Sequence, residues 1–266
     1  MIRCIVFSRD RAMQVDALLN SIVRVIPRRF DEVHVLYRAT SDLHERAYEL
    51  ALTDSWARMG SREHWHPERA FRHDLLGLAM LGEALAFHCD DDYWYRPPPL
   101  TLPLWPVPAA DELTVSYRLG FNTIRCQPLG DVPQAPPDST QYVWQDAELD
   151  YAYPFSLDGH VFDGDRLRAR LEALAYDCPN ELEHALHVSA DPERDGRHLV
   201  MGEQSSVVSV PLNRVNERHP NPAGDDPAWH PDALAARYLA GDRLHFRAVE
   251  PITAAHQIIE PTFSRG

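Results

Sequence analysis

Positive charge is scarce in this chain: 266 residues carry 26 Lys and Arg against 40 Asp and Glu, a formal charge of −14. Polyphosphate backbones need a basic face, so wide nucleic-acid contact is excluded, whereas a small phosphate ligand bridged by a metal ion is not. Cysteine is sparse as well. Cys4, Cys89, Cys126 and Cys178 are scattered with no CxxC pair, which speaks against a disulfide framework or a thiolate zinc cluster and for a reducing cytoplasm. No apolar run reaches the roughly 18–20 residues of a membrane span, and the opening MIRCIVFSRDRAMQ meets charge too early for a signal peptide. Glycine contributes only 12 residues, and neither G-x-G-x-x-G nor a Walker loop occurs, which removes Rossmann oxidoreductases and P-loop kinases. Repeats and heptads are missing too. What is present is a 44% hydrophobic fraction, enough for a substantial core.

That apolar content is organised in alternating units. Ile2 to Phe7 reads as a short buried strand, followed by polar Ser8-Arg9-Asp10 and a helix carrying Met13, Leu18, Leu19, Ile22 and Val23, closed by Pro27. A second strand, Glu32 to Tyr37, leads through a polar break into a helix ending near Arg58. A third unit places Leu75, Leu76, Leu78, Ala79 and Leu81 on one helical face and ends in the strand Ala84–His88. Strand–helix alternation of this kind predicts an α/β fold with parallel neighbours.

Arg96–Pro108 is proline-rich and reads as a rigid surface connection, with a second such loop at Gly130–Thr140. Strand-like segments follow at Leu113–Leu119, Asp150–Phe162 and Ser205–Val210, and helices at Arg166–Ala175 and from Pro179. Glu217–Asp232 reads as a mobile stretch.

The sharpest chemical feature is Asp90-Asp91-Asp92 directly behind ALAFH. Three acids at the exit of an apolar strand are costly unless they meet solvent, donors or a cation. Hard Mg²⁺ or Mn²⁺ prefers carboxylate oxygens and keeps positions open for phosphate, and strand C-termini are where ligands gather in open α/β sheets. The alternative is a solvated acidic turn.

The order of a strand ending in Ser8-Arg9-Asp10-Arg11, the strand EVHVLY, a helix opening at Phe71-Arg72-His73-Asp74 and a strand closing on Asp90-Asp91-Asp92 resembles the nucleotide-sugar glycosyltransferases of the GT-A fold, in particular the large inverting family with many bacterial polysaccharide enzymes. The resemblance implies one α/β domain with a mixed, mostly parallel sheet flanked by helices. It implies a donor-binding part over residues 1–95 and an acceptor-binding part over residues 96–266. In that family a DxD motif binds a divalent metal and the donor diphosphate, which makes Asp90 and Asp92 the expected metal ligands and Asp91 the middle acid. The expected activity is metal-dependent transfer, with Mn²⁺ or Mg²⁺, of a sugar from a nucleotide diphosphate sugar to a hydroxyl acceptor.

The family's catalytic base is an acid at a helix start, which maps to Glu181, with Glu183 the nearby alternative and Asp158 before Gly159 a rival. Arg9, Arg11 and Arg72 are candidates for donor phosphates, since fork-shaped guanidinium suits phosphate oxygens; surface ion pairing with Asp10, Asp16 and Asp74 is the alternative. Ser8 closes the first strand beside them, and Asp74 either holds the donor ribose or caps its helix. Tyr93, Trp94 and Tyr95 form a stacking platform for a sugar or pack beneath the proline-rich loop. His256 is a candidate extra metal ligand.

The family's usual acid after the second strand is replaced by Tyr37-Arg38-Ala39-Thr40, so nucleotide identity stays open. Two other functions fit less well. A nucleotidyltransferase would carry a Gly-rich loop after the first strand, and a non-catalytic nucleotide-sugar-binding protein would not need the candidate base. Ser8, His160 and Asp158 lack the G-x-S-x-G elbow of a hydrolase triad.

Overall fold

The computed structural model describes residues 1–27, 29–80, 83–99, 102, 107–216, 222–246 and 251–266. Leu81, most of residues 100–106 and residues 217–221 lie outside that set. The first half alternates strand and helix as far as β4: β1 Ile2–Arg9, α1 Ala12–Val25, β2 Glu32–Arg38, α2 Asp42–Arg58, β3 Glu63–Pro67, α3 Phe71–Ala79 and β4 Ala84–Cys89, followed directly by β5 Asp92–Trp94. The second half holds β6 Glu112–Ser116, β7 Arg125–Cys126, β8 Val132–Pro133, β9 Gln141–Val143, β10 His160–Asp163, α4 Gly164–Ala173, α5 Pro179–Val188, α6 Pro192–Asp195, β11 His198–Met201 and β12 Val207–Ser209. It closes with α7 Pro231–Leu239, β13 Asp242–Phe246 and β14 Pro261–Arg265.

Eight strands form one mixed sheet in the order β3-β2-β1-β4-β10-β6-β11-β9. The β1–β2, β1–β4, β2–β3 and β6–β11 pairs are parallel, and β10 runs antiparallel to both its neighbours. β1 is buried along nearly its whole length because both its faces are covered, which is why it reads as a continuous apolar run. Cys4 and Val6 face the layer containing α1, where Val15, Leu18, Leu19 and Ile22 pack. Ile5 and Phe7 face the other layer, with Leu75 of α3, Leu167 of α4 and Leu182 of α5.

The strand order 3-2-1-4 places the chain's reversal between β1 and β4. Such a switch point opens a crevice beyond the carboxyl ends of the two strands, here at Ser8–Arg9 and Cys89–Asp92. The turn leaving β1 is set by Asp10, whose φ of +56° lies in the left-handed region. Its amide donates to Arg38 O at 3.0 Å, and its carboxylate accepts from Thr40 N and Thr40 Oγ1, each at 2.8 Å, which repays the strain and ties the ends of β1 and β2 together.

Several segments differ from the sequence expectation. In Asp150–Phe162 only the end is strand; Tyr151 sits in a single 3-10 turn, and Tyr151 and Phe155 are buried as loop anchors. The segment at 222–232 is not uniformly irregular, since it contains a turn at Pro227–Trp229 and the start of α7. Tyr93 and Trp94 form no open platform. β5 pairs antiparallel with β12, Trp94 is fully buried against Phe30 and Tyr117, and Tyr93 packs on Phe246. The Tyr95 hydroxyl lies 2.7 Å from Ser205 Oγ.

Gly159 carries the loop into β10. Its φ is +67°, its amide donates to Phe87 O at 2.9 Å, and a Cβ there would lie 3.3 Å from Val207 side-chain atoms. Gly159→Ala is expected to cost about 1–2 kcal/mol from the left-handed backbone alone. The measurement is urea unfolding, in which the midpoint falls at unchanged slope.

Candidate active site

A cleft of about 460 Å³ opens at the switch point. Its near wall comes from the ends of β1 and β4 (Ser8, Arg9, Arg11, Asp90, Asp91), and its far wall from Arg118, Asp158, Glu183 and His256.

Arg11, at the mouth of α1, organises the near wall. Its Nη1 donates to Asp90 Oδ1 at 2.8 Å and lies 3.4 Å from Asp91 Oδ2, while its Nε donates to Asn213 Oδ1 at 2.8 Å. Burial opposes the charge, but Asp90 and Asp91 outweigh it and raise the guanidinium pKa. The other Asp90 oxygen accepts from Ser8 Oγ at 2.9 Å and Arg9 N at 3.2 Å. Ser8 Oγ is also 2.6 Å from the buried Tyr48 hydroxyl. Asp90 is thus engaged at both oxygens and staples β4 to β1; burial, with Asp91 beside it, still raises its pKa to about 6 against the pull of Arg11.

The three aspartates point in different directions. Asp92 opens β5, and its side chain is 0% exposed. One oxygen accepts from Ser209 Oγ at 2.6 Å and the other lies 2.6 Å from His88 Nδ1, so it is a strut beneath the cleft and does not line it. Burial, reinforced by Asp158 and Asp91, holds its pKa well above the usual range. The structure therefore removes Asp92 from the candidate ligand pair. Asp91 faces the cleft instead, and ligand atoms of Asp91, Asp158 and Cys89 lie within 4.8 Å of one another. Burial raises the Asp91 pKa, with Asp158 adding to it and Arg11 opposing.

Asp158 reaches this point from the loop ahead of Gly159. Its Oδ2 lies 3.3 Å from His256 Nε2 and 3.7 Å from Arg118 Nη1. Burial alone would push its pKa up, but the His256 hydrogen bond and the Arg118 charge overcome it and hold the carboxyl well below the ordinary range. Arg118 follows β6 and is shared with Asp150 at 3.4 Å. His256 is placed by the C-terminal segment, which bridges to Ser209 and donates Gln257 N to Ser209 O at 2.9 Å. The Cys89 thiol is pushed up by burial and by Asp158, so it stays protonated.

The two helix-start acids separate cleanly. Pro179 begins α5, and Glu181 turns back to accept from Asp177 N at 2.8 Å, a capping contact outside the cleft lining. Glu183 lines the cleft, accepts from Leu157 N at 3.0 Å, and has its pKa raised to about 7 by burial and the nearby Asp158. The candidate base position therefore passes from Glu181 to Glu183. Arg72 and Asp74 also leave the site. Arg72 donates to Leu174 O at 3.0 Å and Glu172 O at 2.7 Å, holding the end of α4, while Asp74 accepts from Arg69 N and Ala70 N and caps α3. Arg9 stays at the rim with a half-exposed side chain.

Sequence reasoning missed Arg118, Asn213 and Cys89 as site residues. Cys89 alone carried a signal, because it immediately precedes the acidic triplet.

The α/β fold itself is shared with a solved sugar-transferring enzyme. The chain is similar in structure to a mannosyltransferase from Pyrobaculum calidifontis solved with GDP-Man and Mn²⁺, at 14% identity and a TM-score of 0.51, over 90% of this chain and 74% of that one. It is also matched to Staphylococcus aureus TarS with UDP-GlcNAc (15% identity, TM-score 0.48, 81% of this chain and 59% of that one) and to the galactosyltransferase LgtC with donor and acceptor sugar analogues (14%, 0.42, 88% and 95%). No protein-family model and no curated protein matches the chain. Among the described residues no helix is long and apolar enough to cross a membrane.

Proposed function

We propose that the chain transfers a sugar from a nucleotide diphosphate sugar to a hydroxyl acceptor with inversion. The observation that carries the reading is the meeting of Asp91 and Asp158 with Glu183, the buried Arg118 and the partly buried Arg11 at the sheet's switch point. The donor set suits a hard divalent cation, Mn²⁺ or Mg²⁺: two carboxylates in mutual reach, with Asp91 crowded by Asp158, leave negative charge that a dication would relieve. Asp91 and Asp158 would hold the ion, which would supply positive charge to the departing diphosphate.

The chain's own groups supply the rest. Arg11 is fixed by Asp90 and Asn213, so its charge stands preorganised at the near wall where a diphosphate would lie. Arg9, half-exposed and 3.8 Å from Asp10, adds a cation at the rim. Glu183 takes the proton from the acceptor hydroxyl as its oxygen bonds to the anomeric carbon and the bond from that carbon to the diphosphate oxygen breaks. One oxygen of Glu183 is held by Leu157 N, which orients the carboxylate. Asp158, held below the usual range by His256 and Arg118, is a weak proton acceptor and suits a charge-holding role.

The test is melting temperature with UDP, GDP or dTDP plus Mn²⁺. At about 100 times Kd, binding adds about 2.7 kcal/mol, which for a chain of this size is a rise of several degrees. No shift with any of the three contradicts the reading.

A further inference from the structure

At the outer edge of the sheet, away from the cleft lining, β2 and β3 bring three histidines and a glutamate to one face. His34 and His64 are direct register partners across the parallel pair, and His66 stands opposite Leu36 on the same face. The His34 ring stacks on His64 at 4.8 Å and on His66 at 5.2 Å between centroids. His34 Nε2 lies 3.2 Å from Glu32 Oε2, and His34 Nδ1 lies 3.0 Å from His66 Nε2. Ligand atoms of Glu32, His34 and His64 all fall within 4.8 Å of one another. His34 is buried, while the other three are partly exposed and so reachable from solvent.

We propose that Glu32, His34 and His64 form a second metal site that binds Zn²⁺, with His66 as the positioning residue behind His34. Imidazole nitrogen with carboxylate oxygen and no thiolate is a donor set for Zn²⁺ rather than for Mg²⁺ or Ca²⁺. Tetrahedral ligands at Zn–N distances of about 2.0–2.1 Å stand roughly 3.4 Å apart, so the partly exposed His64 ring and the glutamate must close in by rotation. Binding through His34 Nε2 leaves Nδ1 facing His66, the arrangement in which a neighbouring group fixes the ligand's tautomer. Water fills the fourth position. Arg3, which donates to Glu32 Oε2 at 3.1 Å through Nε, fixes that carboxylate but opposes the dication's charge and so weakens binding.

The test is calorimetric Zn²⁺ titration of the full chain in two backgrounds that each remove one potential ligand atom of the cleft, Asp158→Asn and Cys89→Ser. One Zn²⁺ per chain is expected to remain in both, to raise the melting temperature, and to weaken about tenfold or more in His64→Gln or His66→Ala, each checked for native circular dichroism. Co²⁺ in its place is expected to show ligand-field bands without thiolate charge transfer. Zn²⁺ binding that is unchanged in His64→Gln, that vanishes in the cleft variants, or that shows a thiolate band with Co²⁺ overturns the site, and so does an absence of binding. Nucleotide-dependent Mn²⁺ binding, the readout of the cleft, is unaffected by any of these histidine changes.

Discussion

Glu183→Gln is expected to lower kcat for transfer about 10²–10⁴-fold, the usual contribution of a positioned general base, while nucleotide diphosphate affinity stays near that of the parent. The amide still accepts from Leu157 N, so the wall of the cleft is kept and only the proton acceptor is lost. The pH profile adds a sign. With the carboxyl pKa raised to about 7, the base is protonated below that value and free above it, so kcat/KM rises through about pH 7 to a plateau in the parent. Glu183→Gln loses that rise. The stability sign runs the same way. A carboxyl whose folded pKa exceeds its unfolded value stabilises the fold fully at low pH and loses that contribution as pH climbs through about 7. At pH 8 the neutral amide is therefore expected to melt no lower than the parent, and a variant that melts well below it would show structural damage instead of a lost base.

The second large effect separates the three aspartates. Asp91→Asn is expected to abolish Mn²⁺-dependent nucleotide binding, with affinity falling about 100-fold or more, while its melting temperature without ligand changes little. Losing one of two ligand carboxylates removes both a donor and a charge from the cation. Asp92→Asn is expected to do the reverse. Its carboxylate is enclosed by His88 and Ser209, so the exchange disturbs a buried hydrogen-bonded pair, at a cost of about 1–3 kcal/mol, and leaves the cleft's donor set in place. Equilibrium dialysis against Mn²⁺ and nucleotide, read beside urea unfolding, distinguishes the two patterns. The opposite pattern, with Asp92 controlling metal binding and Asp91 indifferent, contradicts the assignment.

The three strand–helix units and the acid-bearing exit of β4 were legible in the sequence because apolar periodicity is local. Which acid faces the cleft was not legible, because it depends on β5. That strand starts at Asp92 and is buried between α1 and β12, so the third acid is drawn inward towards His88 and Ser209, the latter 117 positions away. The choice between Glu181 and Glu183 was closer to hand. Pro179 at the first helical position makes Glu181 a first-turn residue free to cap its own backbone, and a residue two further on lies roughly 200° around the helix, on the opposite face. Reading the proline as the helix start therefore favours Glu183.

Arg72 and Asp74 looked like ligand groups but meet backbone at the ends of α3 and α4, a role that needs the tertiary fold to be seen. His256 is the converse case. Among 14 histidines it stands out only through the family resemblance, as a candidate extra metal ligand, and the pairing of the C-terminal segment with Ser209 delivers it to Asp158. The tail of the chain was the least readable part. β13 and β14 are short, pair with each other, and are joined by a connection too long for local turn rules.

The most direct measurement is a crystal structure with a nucleoside diphosphate and Mn²⁺, recorded so that the anomalous signal locates the ion. The account predicts a manganese peak between the Asp91 and Asp158 carboxylates, with diphosphate oxygens completing its shell and Arg11 alongside. Manganese bound elsewhere, or a diphosphate seated away from the ends of β1 and β4, would contradict it.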